Sequence, residues 1–140
     1  MHRGVQDFIA WIEKHPHLGG LTRSPPATAV ELALVEERIA ALEGGRAALA
    51  TATGMAGPMV ALLTLAQAGD HLVAARTLYG GTHTQFAVTF RQFGIETTFV
   101  DADDPDAFRA ALKHNTKAIY AETIGNPQLN VCDIAALAEV

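Results

Sequence analysis

From Ala29 onward, apolar residues recur at three- and four-residue steps, among them Val30, Leu34, Leu42 and the Val35/Ile39 pair. That spacing predicts an amphipathic helix, and Gly44-Gly45 stops it. Upstream, Val5 to Lys14 reads as a short amphipathic helix with Phe8, Ile9, Trp11 and Ile12 as its apolar set. His15 to Thr28 holds three prolines and two glycines and reads as an extended arm. After the glycine pair the rhythm changes. Ala47 to Ala52 is a short apolar run, and Gly54 opens a helix to about Ala66. Gly69-Asp70 turns into a strand at His71 to Ala75. Tyr79-Gly80-Gly81-Thr82 opens a helix ending at Gly94, and Ile95 to Val100 is a strand. Asp104 and Pro105 supply the N-cap and first position of a helix to about His114. Lys117 to Ala121 is a further strand, Asn126-Pro127 a turn, and Asp133 caps a last helix. Alternating strand and helix predicts an α/β fold with parallel strands and crossover helices.

Charge narrows the function classes. The net charge is −5 and no basic block occurs, which argues against a nucleic-acid partner or an anionic membrane surface. The most apolar stretch, Ala56 to Ala66, is too short to span a bilayer. Met1 to Ala10 carries Asp7 and no long apolar run, so it does not read as a secretory leader. A single cysteine, Cys132, allows no internal disulfide and favours a reducing, cytoplasmic setting. Cys132 reads as a small apolar residue at a helix start. The six histidines show no metal-ligand spacing with it, and no metal is expected. Asp101, Asp103 and Asp104 read as a cap plus a solvated loop.

Topology places the candidate chemistry. In open parallel sheets, ligands sit at the carboxyl ends of the strands. Four loops leave such ends: Thr53 to Ala56, Thr77 to Thr82, Asp101 to Asp104, and Glu122 to Pro127. The first two combine glycine with a hydroxyl and lead into a helix N-terminus, a setting suited to phosphate. Ordinary turn glycines would give the same local pattern. No Gly-Lys-Ser/Thr loop and no G-x-G-x-x-G after a strand is present, so nucleotide binding is poorly supported.

Longer strings go beyond general pattern. They are Val35 to Gly45, Ala50 to Ala56, Leu78-Tyr79-Gly80-Gly81-Thr82, Phe93 to Glu96, Asn115 to Ala118 and Glu122-Thr123-Ile124-Gly125-Asn126-Pro127. In this order they resemble the Cys/Met-metabolism family of pyridoxal-phosphate (PLP) enzymes, over roughly Arg23 to Val140. The Tyr-Gly-Gly-Thr and Thr-Ile-Gly-Asn-Pro forms look most like its O-acetylhomoserine sulfhydrylase branch. The resemblance implies a fold-type-I, aspartate-aminotransferase-like large domain, here incomplete, with residues 1–28 as helix and arm and 29–140 as its N-terminal portion. It implies that Gly54 and Met55 N–H groups hold the cofactor phosphate and that Tyr79 stacks on the ring and takes part in proton handling. It also implies that Asn126 reaches the cofactor's phenolic oxygen or the substrate carboxylate. Thr22-Arg23 resembles the end of an arm that grips the phosphate of a neighbouring subunit, although Leu21 stands where the arm's tyrosine belongs.

The implied reaction is γ-replacement on an O-acyl-homoserine, forming homocysteine, methionine or cystathionine, in a homodimer usually paired into tetramers. A cystathionine or methionine γ-lyase, a non-catalytic remnant or interaction module, and an unrelated doubly wound domain are the alternatives. The family's cofactor-bearing lysine and its Val-Asp-Asn-Thr aspartate have no counterpart here, since the lysines are Lys14, Lys113 and Lys117. The chain alone is therefore expected to be inactive. In fold type I the first strand lies apart from the next three, so Ala47 to Ala52 is also expected to lack its neighbours.

Overall fold

A computed structural model describes residues 28–140, so the expected helix at Val5 to Lys14, the arm and Arg23 lie outside the described residues. The chain divides into two compact units, residues 1–51 and 52–140.

In the first unit, α1 spans Ala29–Leu42. Thr28 caps it through a reciprocal pair of hydrogen bonds. The Glu31 N–H donates to Thr28 Oγ1 at 3.2 Å, and the Thr28 N–H donates to Glu31 Oε2 at 2.7 Å. These bonds hold the Glu31 carboxyl below the usual range. Gly44 takes φ +65° just past the helix end, a conformation that glycine adopts without strain. The expected strand at Ala47 to Ala52 does not form. A strand is completed by a ladder, and no ladder partner for this run exists among the described residues. The Ala50 N–H is taken instead by Glu36 Oε1, at 2.8 Å.

The second unit is built on a three-stranded parallel sheet of order β2-β1-β3, with β1 at His71–Ala75, β2 at Glu96–Val100 and β3 at Thr116–Tyr120. The helices are α2 (Ala56–Leu65), α3 (Gly80–Thr84, continuing as a π-helical turn over Gln85–Phe90), α4 (Pro105–Ala111) and α5 (Ile134–Ala138). Ala74 faces Phe99 on one side and Tyr120 on the other, and every β1 residue is buried. A strand buried on both faces reads as a continuous apolar run, which is why Leu72 to Ala75 was legible. Phe86, Phe90, Phe108, Leu72 and Ile95 are the largest apolar side chains of the core.

Three of the buried described residues are polar, His71, Thr82 and Gln85. His71, fully buried, lies 2.8 Å through Nδ1 from Thr116 Oγ1 and 2.8 Å through Nε2 from Thr98 Oγ1. It thereby ties the central strand to both neighbours. Burial, and then the Lys113 charge, pull its pKa below the ordinary histidine value.

Asp104 caps α4, its Oδ1 accepting from Asp106 N–H at 3.0 Å and Ala107 N–H at 3.1 Å, with Pro105 in the first turn. Asp104→Ala is expected to cost about 1 kcal/mol, measurable as a lower urea midpoint with an unchanged slope. The helix stops at Ala111, before the expected His114. The Lys113 N–H donates to Thr116 Oγ1 at 2.7 Å and turns the chain into β3. Among the described residues, no helix is long and apolar enough to cross a membrane.

Candidate functional site

The loops that leave β1 and β3 at their carboxyl ends lie side by side because those strands are neighbours. With the turn before α2 they enclose an open cleft of about 410 Å³. Thr53, Gly54 and Met55 form one wall, Tyr79 and Thr82 a second, and Tyr120 and Glu122 a third.

Each wall has a local cause. Thr53 Oγ1 accepts from the Ala56 N–H at 3.2 Å and fixes the turn into α2. Gly54 and Met55 therefore precede a helix N-terminus, where backbone N–H groups lack carbonyl partners four residues back and the dipole is positive. Gln85, 7 % exposed, donates from Nε2 to the Met55 carbonyl at 3.2 Å. Thr82 Oγ1 lies 3.9 Å from Met55 Sδ. Gly81 permits this closeness, since a Cβ there would stand 2.7 Å from Tyr79 Cε1 and 2.9 Å from Met55 Sδ. Tyr79 is 54 % exposed, so its ring is open to the cleft rather than packed in the core. Tyr120 packs edge-on against Phe86, with ring centroids 4.8 Å apart. Burial, and then the Glu122 charge, push its phenol above the usual tyrosine range.

Gly54, Met55 and Tyr79 are thus brought together in one cleft. Asn126 is not among the lining residues. It is exposed, follows the β3 loop, and its N–H donates to Thr77 O at 3.4 Å, so it sits beside the loop that carries Tyr79. Arg23 lies outside the described residues. Gln85, Tyr120 and the particular role of Glu122 escaped sequence reasoning. Gln85 sits in the mostly apolar string QFAVTF and only its tertiary position reveals its bond to Met55.

The other polar candidates have structural roles. Asp101 Oδ1 accepts from the Asp103 N–H at 3.1 Å, and Asp103 Oδ1 accepts from Asn130 Nδ2 at 2.9 Å. Cys132 is buried, which raises its thiol pKa, with Asp103 and Asp133 adding to the effect. Lys113 pairs with Glu96 at 2.8 Å and Lys117 approaches Asp70 at 3.8 Å. Both therefore lie at the amino ends of the strands, a strand's length from the cleft, about 15 Å.

An anion-suited turn, a half-exposed aromatic ring and a carboxyl-end cleft thus meet in one α/β unit. The sequence profile of the Cys/Met metabolism PLP-dependent enzymes matches residues 23–140. The chain belongs to that family. It is 51 % identical over 107 residues to the O-acetyl-L-homoserine sulfhydrylase of Leptospira meyeri, covering 76 % of this chain and 24 % of that protein. The homocysteine/cysteine synthase of Saccharomyces cerevisiae is 49 % identical over 107 residues, with the same coverage of 76 % and 24 %. Among solved structures, a Campylobacter jejuni putative O-acetylhomoserine (thiol)-lyase carrying N'-pyridoxyl-lysine-5'-monophosphate superposes with a TM-score of 0.74 at 37 % identity, over 76 % of this chain and 26 % of that one. The fold is that of the fold-type-I PLP enzymes, and the chain spans about a quarter of the length of the curated relatives it matches.

Proposed function

We propose that this chain supplies the cofactor-binding rim of an O-acetylhomoserine sulfhydrylase-type enzyme, which replaces the γ-substituent of an O-acyl-homoserine with a sulfur nucleophile. The observation that carries the reading is the meeting of Gly54, Met55 and Tyr79 in one cleft. The donor set fits pyridoxal 5'-phosphate. Backbone N–H groups at the start of α2 suit its phosphate, and the open face of Tyr79 suits its ring. When bound, that cofactor supplies an electron sink for bonds broken at the amino acid. The chain's own residues bind and orient. Gly54 and Met55 fix the phosphate end, Gln85 steadies the Met55 peptide, and Tyr79 covers the ring and offers a phenol that can hold or pass a proton. Identity near 50 % to sulfhydrylases and homocysteine synthases supports γ-replacement as the reaction class. The proposal includes a cytoplasmic, homo-oligomeric setting in which residues 1–28 are an N-terminal helix and extended arm and Arg23 reaches a neighbouring subunit's phosphate.

Among the described residues, neither lysine, Lys113 nor Lys117, is near the cleft, and binding by this chain is expected to be non-covalent with turnover absent. Titration with pyridoxal 5'-phosphate should give saturable binding that inorganic phosphate displaces. Borohydride treatment should leave no stoichiometric ring-bearing adduct. Failure to bind, or a fixed one-to-one adduct, would contradict the reading.

A further inference from the structure

We propose that Glu122 is a positioning residue that sets where the Tyr79 ring stands in the cleft. This rests on the reading above only in naming what the ring receives. Both carboxylate oxygens of Glu122 accept the Tyr79 N–H, at 3.0 and 3.1 Å. The two residues are far apart in sequence and come from the loops after β3 and β1. Their contact is therefore a tertiary tie, not local turn geometry.

Tyr79 is the residue that most needs such a tie. It stands in extended conformation, φ −49° and ψ 133°, immediately before α3, and its side chain makes no capping bond. Gly80 and Gly81 open α3, and the His83 N–H donates to the Tyr79 carbonyl at 2.9 Å, so the helix holds the carbonyl side of Tyr79 and leaves its N–H side to another partner. Over this glycine pair the Tyr79 ring lies close enough that a Cβ on Gly81 would be 2.7 Å from Cε1. The point from which the ring projects is set by the Tyr79 backbone, which a charged acceptor holds at its N–H and α3 holds at its carbonyl. A hydrogen bond to an ionised carboxylate is stronger than one between neutral groups. Glu122 also lines the cleft, where a free carboxylate would repel a phosphate. Its engagement by the Tyr79 N–H ties it to the wall that carries the ring.

The test uses the 15N-labelled chain with Glu122→Ala and Glu122→Gln. In Glu122→Ala the Tyr79 amide should exchange about tenfold faster or more, while the Leu72 and Ala74 amides keep their protection. Affinity for pyridoxal 5'-phosphate should fall about tenfold, and affinity for inorganic phosphate should stay as in the parent. Glu122→Gln should restore most of both, because its amide oxygen can accept the same N–H. An unchanged Tyr79 exchange rate in Glu122→Ala would overturn the proposal. So would equal ligand loss in the alanine and glutamine variants, which would make the charge itself, not the position, the operative property. If the parent chain takes up neither ligand, the functional reading fails, and the exchange rates alone decide whether Glu122 holds Tyr79. Should Glu122→Ala lose protection throughout, Glu122→Asp, too short to reach the Tyr79 N–H, replaces it.

Discussion

Replacing His71 with alanine is expected to destabilise the sheet by about 3–4 kcal/mol. The imidazole is fully buried between the two outer strands and bonded at 2.8 Å to a threonine on each. Truncation leaves a cavity and removes a partner from each hydroxyl, Thr98 Oγ1 losing its bond to the ring and Thr116 Oγ1 keeping only the Lys113 N–H. The same geometry makes stability depend on pH. In the folded chain the pKa of His71 lies below its ordinary value near 6.5, chiefly through burial, with Lys113 adding to the shift and Glu96 opposing it. Above that value both folded and unfolded chains carry a neutral ring, and the full stability is present. As the pH falls below about 6.5, the unfolded chain takes up the proton first, and stability is lost until the folded-state pKa is passed. Urea midpoints of the parent chain should drop from about pH 7.5 to about pH 5.5, and His71→Ala should remove that part of the slope. A parent midpoint that rises on acidification would show that the buried ring is not kept neutral.

Phe86→Ala should cost about 3–5 kcal/mol, a large share of the roughly 5–15 kcal/mol that holds a typical domain together. Phe86 is 1 % exposed, stacks on Phe90 with centroids 5.2 Å apart, and meets Tyr120 edge-on. The loss therefore falls on the core and on the Tyr120 wall of the cleft together. Val88, in the same helical turn, is 49 % exposed, and Val88→Ala should change stability by no more than about 0.5 kcal/mol. Circular dichroism during urea unfolding separates the two. A Phe86→Ala midpoint as high as that of Val88→Ala would refute this account of the core.

The order of elements was legible wherever local chemistry decided it. Leu72 to Ala75 announces a buried strand, and Asp104-Pro105 and Asp133 announce helix starts through caps that the structure contains. The run Ala47 to Ala52 looks equally strand-like, yet its ladder needs a neighbour, and apolar pattern carries no information about one. The π-helical turn at Gln85–Phe90 was illegible for a related reason, because an apolar string such as QFAVTF does not distinguish it from an α-helical turn. Within the cleft, the glycines, Met55 and Tyr79 were legible through turn chemistry and family strings. The partners that hold them were not. Glu122 and Gln85 reach Tyr79 and Met55 across 43 and 30 residues, and nothing in either stretch marks the contact.

That wide turn also separates two kinds of robustness. A π ring closes over one more residue than an α ring, so a helix containing one can lose a residue there and still complete its main-chain bonding. The rotation this imposes, about 100° per residue, would carry Gln85 away from the Met55 carbonyl or turn Phe86 and Phe90 out of phase with it. A single deletion within 85–90 would thus keep the helical main-chain bonding while either uncoupling Gln85 from Met55 or turning Phe86 and Phe90 out of the core, so intact secondary structure there would conceal a loss of packing or of the pocket wall.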